Sequence, residues 1–145
     1  RGILTYAKYL FGAVRAQERY KFDITIDGAK YHRKGCMLAI ANGTCYGTGI
    51  SFNPKGSPFD DVFDIIVIDR INLNLIVRMG WASFYDQMKN TDTFKVSGRD
   101  AHIGISRVTT LQVDGEIGGR FDSLTVKMQD EKVPVLMCRA PKSHR

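Results

Sequence analysis

The segment most suggestive of chemistry is Val-Asp-Gly-Glu-Ile-Gly-Gly at 113–119, between two strand-like stretches. Asp114-Gly115 is a strong signal for a type I′ hairpin turn, and a turn accounts for this pair without any catalysis. Glu116 follows directly, where a rigid β-scaffold could hold it as a general base. On spacing alone the turn is the better interpretation, and the catalytic one stays open.

A second candidate segment, residues 54–64, is acidic. It places Asp60, Asp61 and Asp64 just before an apolar run. Carboxylates mixed with free loop carbonyls are hard oxygen ligands of the kind that bind Mg²⁺ or Ca²⁺. The spacing is not that of an EF-hand loop, and acidic turn residues facing water explain the composition about equally well.

A third segment, Asn-Gly-Thr-Cys-Tyr-Gly-Thr-Gly at 42–49, is rich in glycine and follows an apolar run. Its backbone could approach a ligand closely, but it lacks the third glycine of a dinucleotide fingerprint and the Gly-Lys-Ser/Thr of a P-loop. A tight turn is therefore the better interpretation. The nucleophile motifs Gly-x-Ser-x-Gly and His-Glu-x-x-His are absent from the sequence.

Strands are the main elements available to position these segments. Phe22, Ile24 and Ile26 alternate with polar residues, which predicts a strand, and Asp27-Gly28 predicts a hairpin turn after it. The wholly apolar run at 37–41 predicts a buried strand. Further short strands are predicted at 65–68, 93–96, 101–105, 108–113, 124–128 and 133–137.

Two helices are predicted beside the strands. Ile3, Ala7, Leu10 and Val14 recur at helical spacing in the first twenty residues, and the stretch 73–88 has helical length and composition. Many short strands with two helices indicate a mainly β (α+β) fold. The predicted architecture is a β-sandwich with an N-terminal helix and one further helix.

The composition narrows the class of protein. A chain of 145 residues with 43% hydrophobic and 25% charged residues predicts one domain with its own core. No apolar run approaches 18 residues, which argues against a membrane span, and no secretory signal is visible. Three cysteines without Cys-x-x-Cys spacing favour reduced thiols in a cytosolic protein over a disulfide framework or a zinc site. The start at Arg1 rather than Met suggests a fragment or a processed product.

Positive charge is concentrated near the N-terminus. The net charge is +6, from 21 basic and 15 acidic residues, with a local basic excess in 1–34. Such a surface attracts phosphate, nucleic acid or an acidic membrane. Arg1, Lys8 and Arg15 share a helical stripe, which would either lie on anionic lipid headgroups or simply face water. Nucleic-acid binding is not predicted, because the basic residues are not interleaved with aromatic ones and helix-turn-helix or zinc-finger spacing is absent.

Taken in order, these segments resemble the C-terminal domain of the bacterial diacylglycerol kinase and YegS/BmrU lipid kinase family, which is related to sphingosine kinases. The similarity runs from residue 1 to about 138. The stretches that carry it are Arg1-Gly2 with Tyr6, Met37–Asn42 with Gly47-Thr-Gly49, Pro54 with Asp60-Asp61-Val-Phe-Asp-Ile65, and the Asp-Gly-Glu within 113–119. Two positions depart from the family pattern: Asp61 stands where glycine is usual, and Thr48 interrupts a glycine triplet.

The resemblance implies the domain organisation. Residues 1–138 would form the substrate-side domain, an NAD kinase/diacylglycerol kinase-like β-sandwich, and 139–145 a polar tail. The family's nucleotide motif, Gly-Gly-Asp-Gly-Thr, is nowhere in this sequence. In the family it belongs to an N-terminal nucleotide-binding domain, which we expect to lie upstream of this chain. The chain alone is therefore expected to be inactive.

The resemblance also implies a reaction, the ATP-dependent phosphorylation of a lipid hydroxyl on a diacylglycerol-like substrate, with ATP and Mg²⁺ as cofactors. Glu116 would act as the general base, and Asp114 and Gly115 would contact the cofactor. The ligands of a structural Mg²⁺ would be the Asp60 carboxylate and the backbone carbonyls of Ser57 and Val62. Because Asp61 replaces glycine, the backbone of that loop could differ from the family's.

The expected partners follow from this reaction. They are a lipid substrate and the inner face of the membrane, to which a cytoplasmic enzyme would bind peripherally, and a homo-oligomer is left open. The alternative function is a non-catalytic, kinase-like module that binds a lipid or a protein. The two hypotheses differ at Glu116, which only a kinase needs.

Overall fold

The computed structural model describes residues 17–44, 53, 55–71, 93–131 and 134. Seven strands account for most of these residues. Their bounds are β1 Tyr20–Ile26, β2 Ala29–Gly35, β3 Met37–Ala41, β4 Phe63–Ile68, β5 Thr93–Gly98, β6 Asp100–Val113 and β7 Glu116–Lys127.

The strands form two antiparallel sheets. One has four strands in the order β2-β1-β6-β7, and the other has three in the order β3-β4-β5. A two-residue turn joins β1 to β2, with φ of +46° at Asp27 and +83° at Gly28. Positive φ at both central residues is the mark of a type I′ turn, so the hairpin predicted at this point is confirmed.

The two sheets pack face to face around one core. Period-two alternation in β1 and β6 turns every second side chain toward β4 of the other sheet. The buried residues of this core are Phe22, Ile24, Ile26, Ala101, Ile103, Phe63, Ile65 and Val67. At the edge of the core the rings of Tyr31 and Phe94 lie 5.2 Å apart between centroids, which ties β2 to β5. The arrangement is a β-sandwich.

The chain crosses from one sheet to the other at Gly35 and Cys36. The Cys36 N–H donates to the Ile68 carbonyl of β4 at 2.9 Å. Gly35 approaches β4 so closely that a Cβ there would lie 2.5 Å from the Ile68 carbonyl oxygen and 2.7 Å from a Val67 methyl carbon. Glycine at position 35 therefore permits the contact between the sheets at this edge.

The mainly β prediction is confirmed, whereas the helical part is not shown. Both predicted helices lie outside the described residues, except for 17–20, where β1 begins. The strand predicted at 133–137 lies outside them too, except for Pro134. Among the described residues there is no helix long and apolar enough to cross a membrane.

Four predicted strands differ from the structure. The stretches 101–105 and 108–113 are parts of one strand, β6, because the residues between them bulge without ending it. The stretch 124–128 is the end of β7, which already starts at Glu116. The strand at 37–41 is only half-buried, because β3 is an edge strand of the smaller sheet.

Replacing Gly35 by Ala should destabilise the protein by about 1–3 kcal/mol, the usual cost of forcing extra atoms into a packed region. The added Cβ would meet backbone and a buried side chain that cannot move aside. Urea unfolding measures the difference. Gly43→Ala is the matched control, because nothing lies within 4 Å of a Cβ at that position. Equal stability of the two variants would contradict the role of Gly35.

Candidate active site

Strands β6 and β7 pair in two separate stretches. The inner stretch joins 100–104 to 123–127 within the four-stranded sheet, and the outer stretch joins 109–113 to 116–121. We call residues 109–121 the hairpin arm, because β1 pairs with β6 only as far as Ile105. Between the two stretches the register shifts, and several residues of β6 oppose one residue of β7. This bulge marks the base of the arm.

The base of the arm is held against the start of β1. The Arg107 guanidinium donates to the Arg19 carbonyl at 3.1 Å and lies 5.0 Å from the centre of the Tyr20 ring. It also pairs with the Glu18 carboxylate at 3.5 Å. Next to it, Ser106 Oγ accepts the Lys21 N–H at 3.1 Å. These contacts fix where the arm leaves the sheet.

The tip of the arm is the turn predicted from the sequence. Asp114 and Gly115 have φ of +48° and +97°, and Val113 pairs with Glu116 across the turn. This geometry is a type I′ turn, so the turn interpretation is confirmed. Glu116 is the first residue of β7 and is exposed. Its carboxylate makes no hydrogen bond or ion pair with another residue in the described ranges.

A glycine bulge follows Glu116. Ile117 pairs with Gln112 and Gly119 pairs with Leu111, which leaves Gly118 as an extra residue in β7. Gly119 has φ of +127°, a conformation that side chains other than hydrogen rarely adopt. Bulges of this kind redirect a strand and the side chains beside it. The backbone geometry of the bulge therefore accounts for Gly118 and Gly119, and the bulge sets the direction of the tip.

The face of the arm that carries Glu116 is apolar. Val113 is its cross-strand partner, and Leu111 lies on the same face two residues earlier. Phe121, opposite Thr109, continues this face toward the base. Val113 and Phe121 remain 54% and 43% exposed on this face. An open hollow of about 400 Å³ at the tip is lined by Val113, Asp114, Glu116, Ile117 and Gly118.

The proposed metal ligands lie in the loop before β4. The Val62 N–H donates to Asp60 Oδ1 at 3.4 Å, and the Phe59 N–H donates to Ser57 Oγ at 3.2 Å. Asp61 has φ of +58°, the left-handed conformation that glycine favours and that Asp can also adopt. Asp61 can thus take the backbone conformation that glycine would favour at this position.

The oxygen donors of this loop suit a hard cation. One carboxylate at Asp60 and the carbonyls of Ser57 and Val62 are ligand types that Mg²⁺ and Ca²⁺ prefer. In the part of the chain that the structure describes, no group of three or more His, Cys, Asp or Glu side chains could hold a metal ion. Any cation in this loop would therefore depend on backbone carbonyls.

Asp64 is not part of this exposed acidic cluster. It lies in β4, where it is 6% exposed, and it pairs with Lys95 Nζ at 3.1 Å. Its other hydrogen bonds come from Ser97 Oγ and from the side-chain amide of Asn53, which is 1% exposed. The sequence interpretation of Asp64 as a turn residue in water or a cation ligand is therefore wrong, because the position belongs to a buried polar network.

The network connects β4 and β5 to residues 43 and 53, which precede β4 in the sequence. Asn53 donates to the Gly43 carbonyl at 3.1 Å and accepts from Lys95 Nζ at 2.6 Å. Burial raises the pKa of Asp64, but the hydrogen bonds from Ser97, Asn53 and Lys95 and the charge of Lys95 outweigh it and hold the pKa below its usual range. Sequence reasoning missed Asn53, Lys95 and Ser97. The one available signal was a lone Asp at the start of an apolar strand.

The two groups of predicted site residues lie in different places. Asp114, Gly115 and Glu116 share the tip of the hairpin arm, whereas Ser57, Asp60 and Val62 share the loop before β4. Arg99, at the junction of β5 and β6, donates to the Asp61 carbonyl at 3.4 Å. That junction lies at the start of β6, whereas the tip of the hairpin arm follows the end of β6. Within this chain, a cation in the loop would therefore stabilise the loop and would not contact Glu116.

Comparison with known proteins identifies a family model that matches this chain. The family model described as "YegS C-terminal NAD kinase beta sandwich-like domain" matches residues 1–137. No curated protein matches. The fold is similar to that of a putative diacylglycerol kinase from Bacillus anthracis str. Sterne, with a TM-score of 0.64 and 21% identity over 82% of this chain and 42% of that one.

Two further solved structures from the same organism show the same fold. One is described as a putative diacylglycerol kinase, with a TM-score of 0.62 and 21% identity over 82% of this chain and 41% of that one. The other is described as a diacylglycerol kinase, with a TM-score of 0.58 and 18% identity over 79% and 42%. This chain spans less than half the length of these proteins.

Replacing Asp64 by Asn should lower the free energy of unfolding at pH 7 by about 1–3 kcal/mol, because buried partners lose a charged acceptor. The folded-state pKa lies below the ordinary value of 3.8, so the ionised carboxylate contributes fully above that pH. Its contribution is lost as the pH falls through the folded-state value. The gap between wild type and variant should therefore narrow below about pH 4.

Urea unfolding from pH 3 to 7 measures this gap. Asp69→Asn is the control, because the Asp69–Arg19 pair is exposed and contributes little. A gap for Asp64→Asn that is constant with pH would contradict the ionised, hydrogen-bonded state of the carboxylate.

Mg²⁺ should raise the melting temperature of the wild-type protein, and Asp60→Asn should reduce this rise, because a ligand that binds only the folded state stabilises it. Asp61→Asn is the matched control. It removes the same charge from the neighbouring residue, and Asn keeps the left-handed backbone. Thermal unfolding with and without Mg²⁺ measures both. An equal loss in the two variants would mean that charge alone attracts the cation and that Asp60 is not a specific ligand.

Proposed function

Because the chain belongs to the family of YegS C-terminal NAD kinase beta sandwich-like domains, we propose that it is the substrate-side part of a lipid kinase. The proposed reaction transfers the γ-phosphoryl group of ATP to a hydroxyl group of a lipid. The observation that carries the proposal is the presentation of Glu116, with an unengaged carboxylate, at the tip of an anchored hairpin arm with an apolar face. The names of the similar solved structures support a diacylglycerol-like substrate.

Glu116 is the proposed general base. As the lipid hydroxyl oxygen forms its bond to the γ-phosphorus, the bond from that phosphorus to the β–γ bridging oxygen breaks and ADP leaves. The hydroxyl proton moves to the Glu116 carboxylate. A positioned base of this kind contributes about 10²–10⁴ in rate. Asp114 and Gly115, at the turn beside Glu116, would contact the nucleotide.

The apolar face beside Glu116 suits a substrate with both a hydroxyl group and an alkyl part. Leu111, Val113 and Phe121 offer hydrocarbon surface along the arm, while the carboxylate stands at its end. A lipid lying along this face would bring its hydroxyl to Glu116 and keep water away from it. The exposure of these side chains supports the proposal, because covering them is favourable in proportion to the area removed from water.

Mg²⁺ has two proposed roles. With ATP it supplies positive charge that neutralises the transferring phosphoryl group, as in other phosphoryl transfers. In the loop before β4, the Asp60 carboxylate and the carbonyls of Ser57 and Val62 would hold a structural ion. There these residues would stabilise the loop that Arg99 joins to the start of β6.

The proposal also covers the rest of the protein, its location in the cell and its oligomeric state. Because the chain spans less than half the length of its solved relatives, most of the nucleotide-binding residues would lie in another part of the protein. The chain alone would then not phosphorylate a lipid. A cytoplasmic enzyme bound peripherally to the membrane is consistent with a lipid substrate, and a homo-oligomer stays a prediction.

In the full-length protein, Glu116→Gln should lower phosphorylation of a lipid panel by at least about 100-fold, because the base is lost. Melting temperature should be unchanged, because the carboxylate has no partner to lose among the described residues. Transfer of ³²P from ATP measures the rate. Asp122→Asn is the matched control, an exposed carboxylate in the same strand that should leave the rate near wild type.

Two results would count against the proposal. Near-normal turnover by Glu116→Gln would remove the base assignment. Lipid binding without any phosphorylation by the wild type, unaffected by Glu116→Gln, would favour the non-catalytic binding module.

A further inference from the structure

The four-stranded sheet has a second face, which points away from the sandwich core. In β1 the buried residues alternate with exposed ones, and their cross-strand partners follow the same alternation. We call this second side the outer sheet face. Its charged and polar residues are Lys21, Asp23, Thr25, Lys30, His32, Lys34, Asp100, His102, Ser123, Thr125 and Lys127.

The outer sheet face has an excess of positive charge. It carries four lysines and two aspartates, and both aspartates are already engaged. Asp23 Oδ1 contacts His32 Nδ1 at 2.6 Å, and Asp100 Oδ2 pairs with Lys127 Nζ at 2.9 Å. The other three lysines form no ion pair with any residue in the described ranges. They are Lys21, Lys30 and Lys34, and all three are exposed.

Two of these lysines face each other. Lys21 of β1 is the direct cross-strand partner of Lys34 of β2. Like charges in directly opposed positions destabilise a sheet, whereas an opposite pair would stabilise it. The fold therefore gains nothing from this pair. An anionic ligand that binds both ammonium groups would offset the repulsion.

We propose that the outer sheet face docks on an anionic lipid bilayer. This inference rests on the proposed lipid kinase function and names the surface by which the protein would reach its substrate. The argument is charge complementarity, because lysines near an anionic leaflet are attracted by its surface potential. Lysine, a compact and strongly hydrated charge, suits a diffuse layer of headgroups that needs no fixed geometry.

The face does not suit single-stranded nucleic acid. Sheets that bind such strands stack the bases on exposed aromatic side chains. In β1 and β2 the aromatic side chains are on the core side. Phe22 is buried there, and Tyr20 and Tyr31 pack against the same core. The outer sheet face thus offers charge without a stacking platform.

The position of the lysine pair agrees with the location of the proposed base. Phe22, next to Lys21, pairs with Ile105, the last residue of β6 in the β1–β6 ladder. Beyond that point β6 continues into the hairpin arm. Lys21 and Lys34 therefore lie at the end of the sheet from which the arm leaves. A bilayer bound there would lie beside the base of the arm that carries Glu116.

The test is sedimentation with vesicles, using the full-length protein without ATP. The vesicles contain phosphatidylcholine with 30% phosphatidylglycerol and no diacylglycerol, so that binding is read independently of phosphorylation. Replacing both Lys21 and Lys34 by Gln should weaken binding about thirtyfold, from about fivefold for each lysine near an anionic surface. The matched control replaces Lys55 and Arg70, two exposed cations off this face, by Gln. It should change binding less than threefold.

A single variant separates binding from folding. Lys21→Glu puts an opposite charge across from Lys34, so it should raise the melting temperature and at the same time weaken vesicle binding. A merely structural role for Lys21 would move both quantities in the same direction. This variant also protects the test against loss of folding, because the protein is expected to become more stable.

Three outcomes would overturn the docking proposal. They are an equal loss in both double variants, binding that is the same on pure phosphatidylcholine, and tighter binding to a single-stranded RNA than to the anionic vesicles. Each of these outcomes leaves the kinase assignment standing if Glu116→Gln still abolishes lipid phosphorylation. Conversely, lysine-dependent vesicle binding by a protein that phosphorylates no lipid would refute the kinase assignment alone.

Discussion

The placement of Glu116 depends on the contacts by which Arg107 holds the bulge of β6 against the start of β1. On one side of this bulge, β6 is a central strand of the four-stranded sheet, and on the other it is half of a two-stranded ribbon. An isolated two-stranded hairpin is marginal in water. The arm can carry a functional group at a defined position only because its base is fixed by Arg107 and by the Ser106–Lys21 hydrogen bond.

The sandwich is the scaffold of the molecule, and the hairpin arm carries the candidate site. The core between the sheets is apolar and closed, with Ile24, Ile65 and Ile103 almost fully buried. The arm instead leaves apolar side chains exposed, and Val113, Ile117 and Phe121 have no such core to cover them. Exposed apolar side chains in one region are typical of a surface that binds a ligand or another part of the protein. Apolar side chains are therefore buried in the scaffold and exposed at the site.

Local patterns predicted the fold where the signal lies within a few neighbouring residues. Alternation in β1 and the Asp-Gly pairs at 27–28 and 114–115 determine a strand and two turns, because period and positive φ are local properties. The bulge at 105–108 was not predictable, since it depends on the register in which β6 pairs with β7. The network of Asp64 was missed for a similar reason. Its partners come from separate segments, and only the folded chain brings them together.

The most direct test of the account is the pH dependence of kcat/KM for lipid phosphorylation by the full-length wild type and by Glu116→Gln. If Glu116 accepts the hydroxyl proton, the wild-type rate falls with unit slope on the acid side of its profile. The small residual rate of the variant should lack this acid limb, because amide groups do not titrate there. An acid limb of the same slope and position in Glu116→Gln would contradict the account, since another group would then be the base.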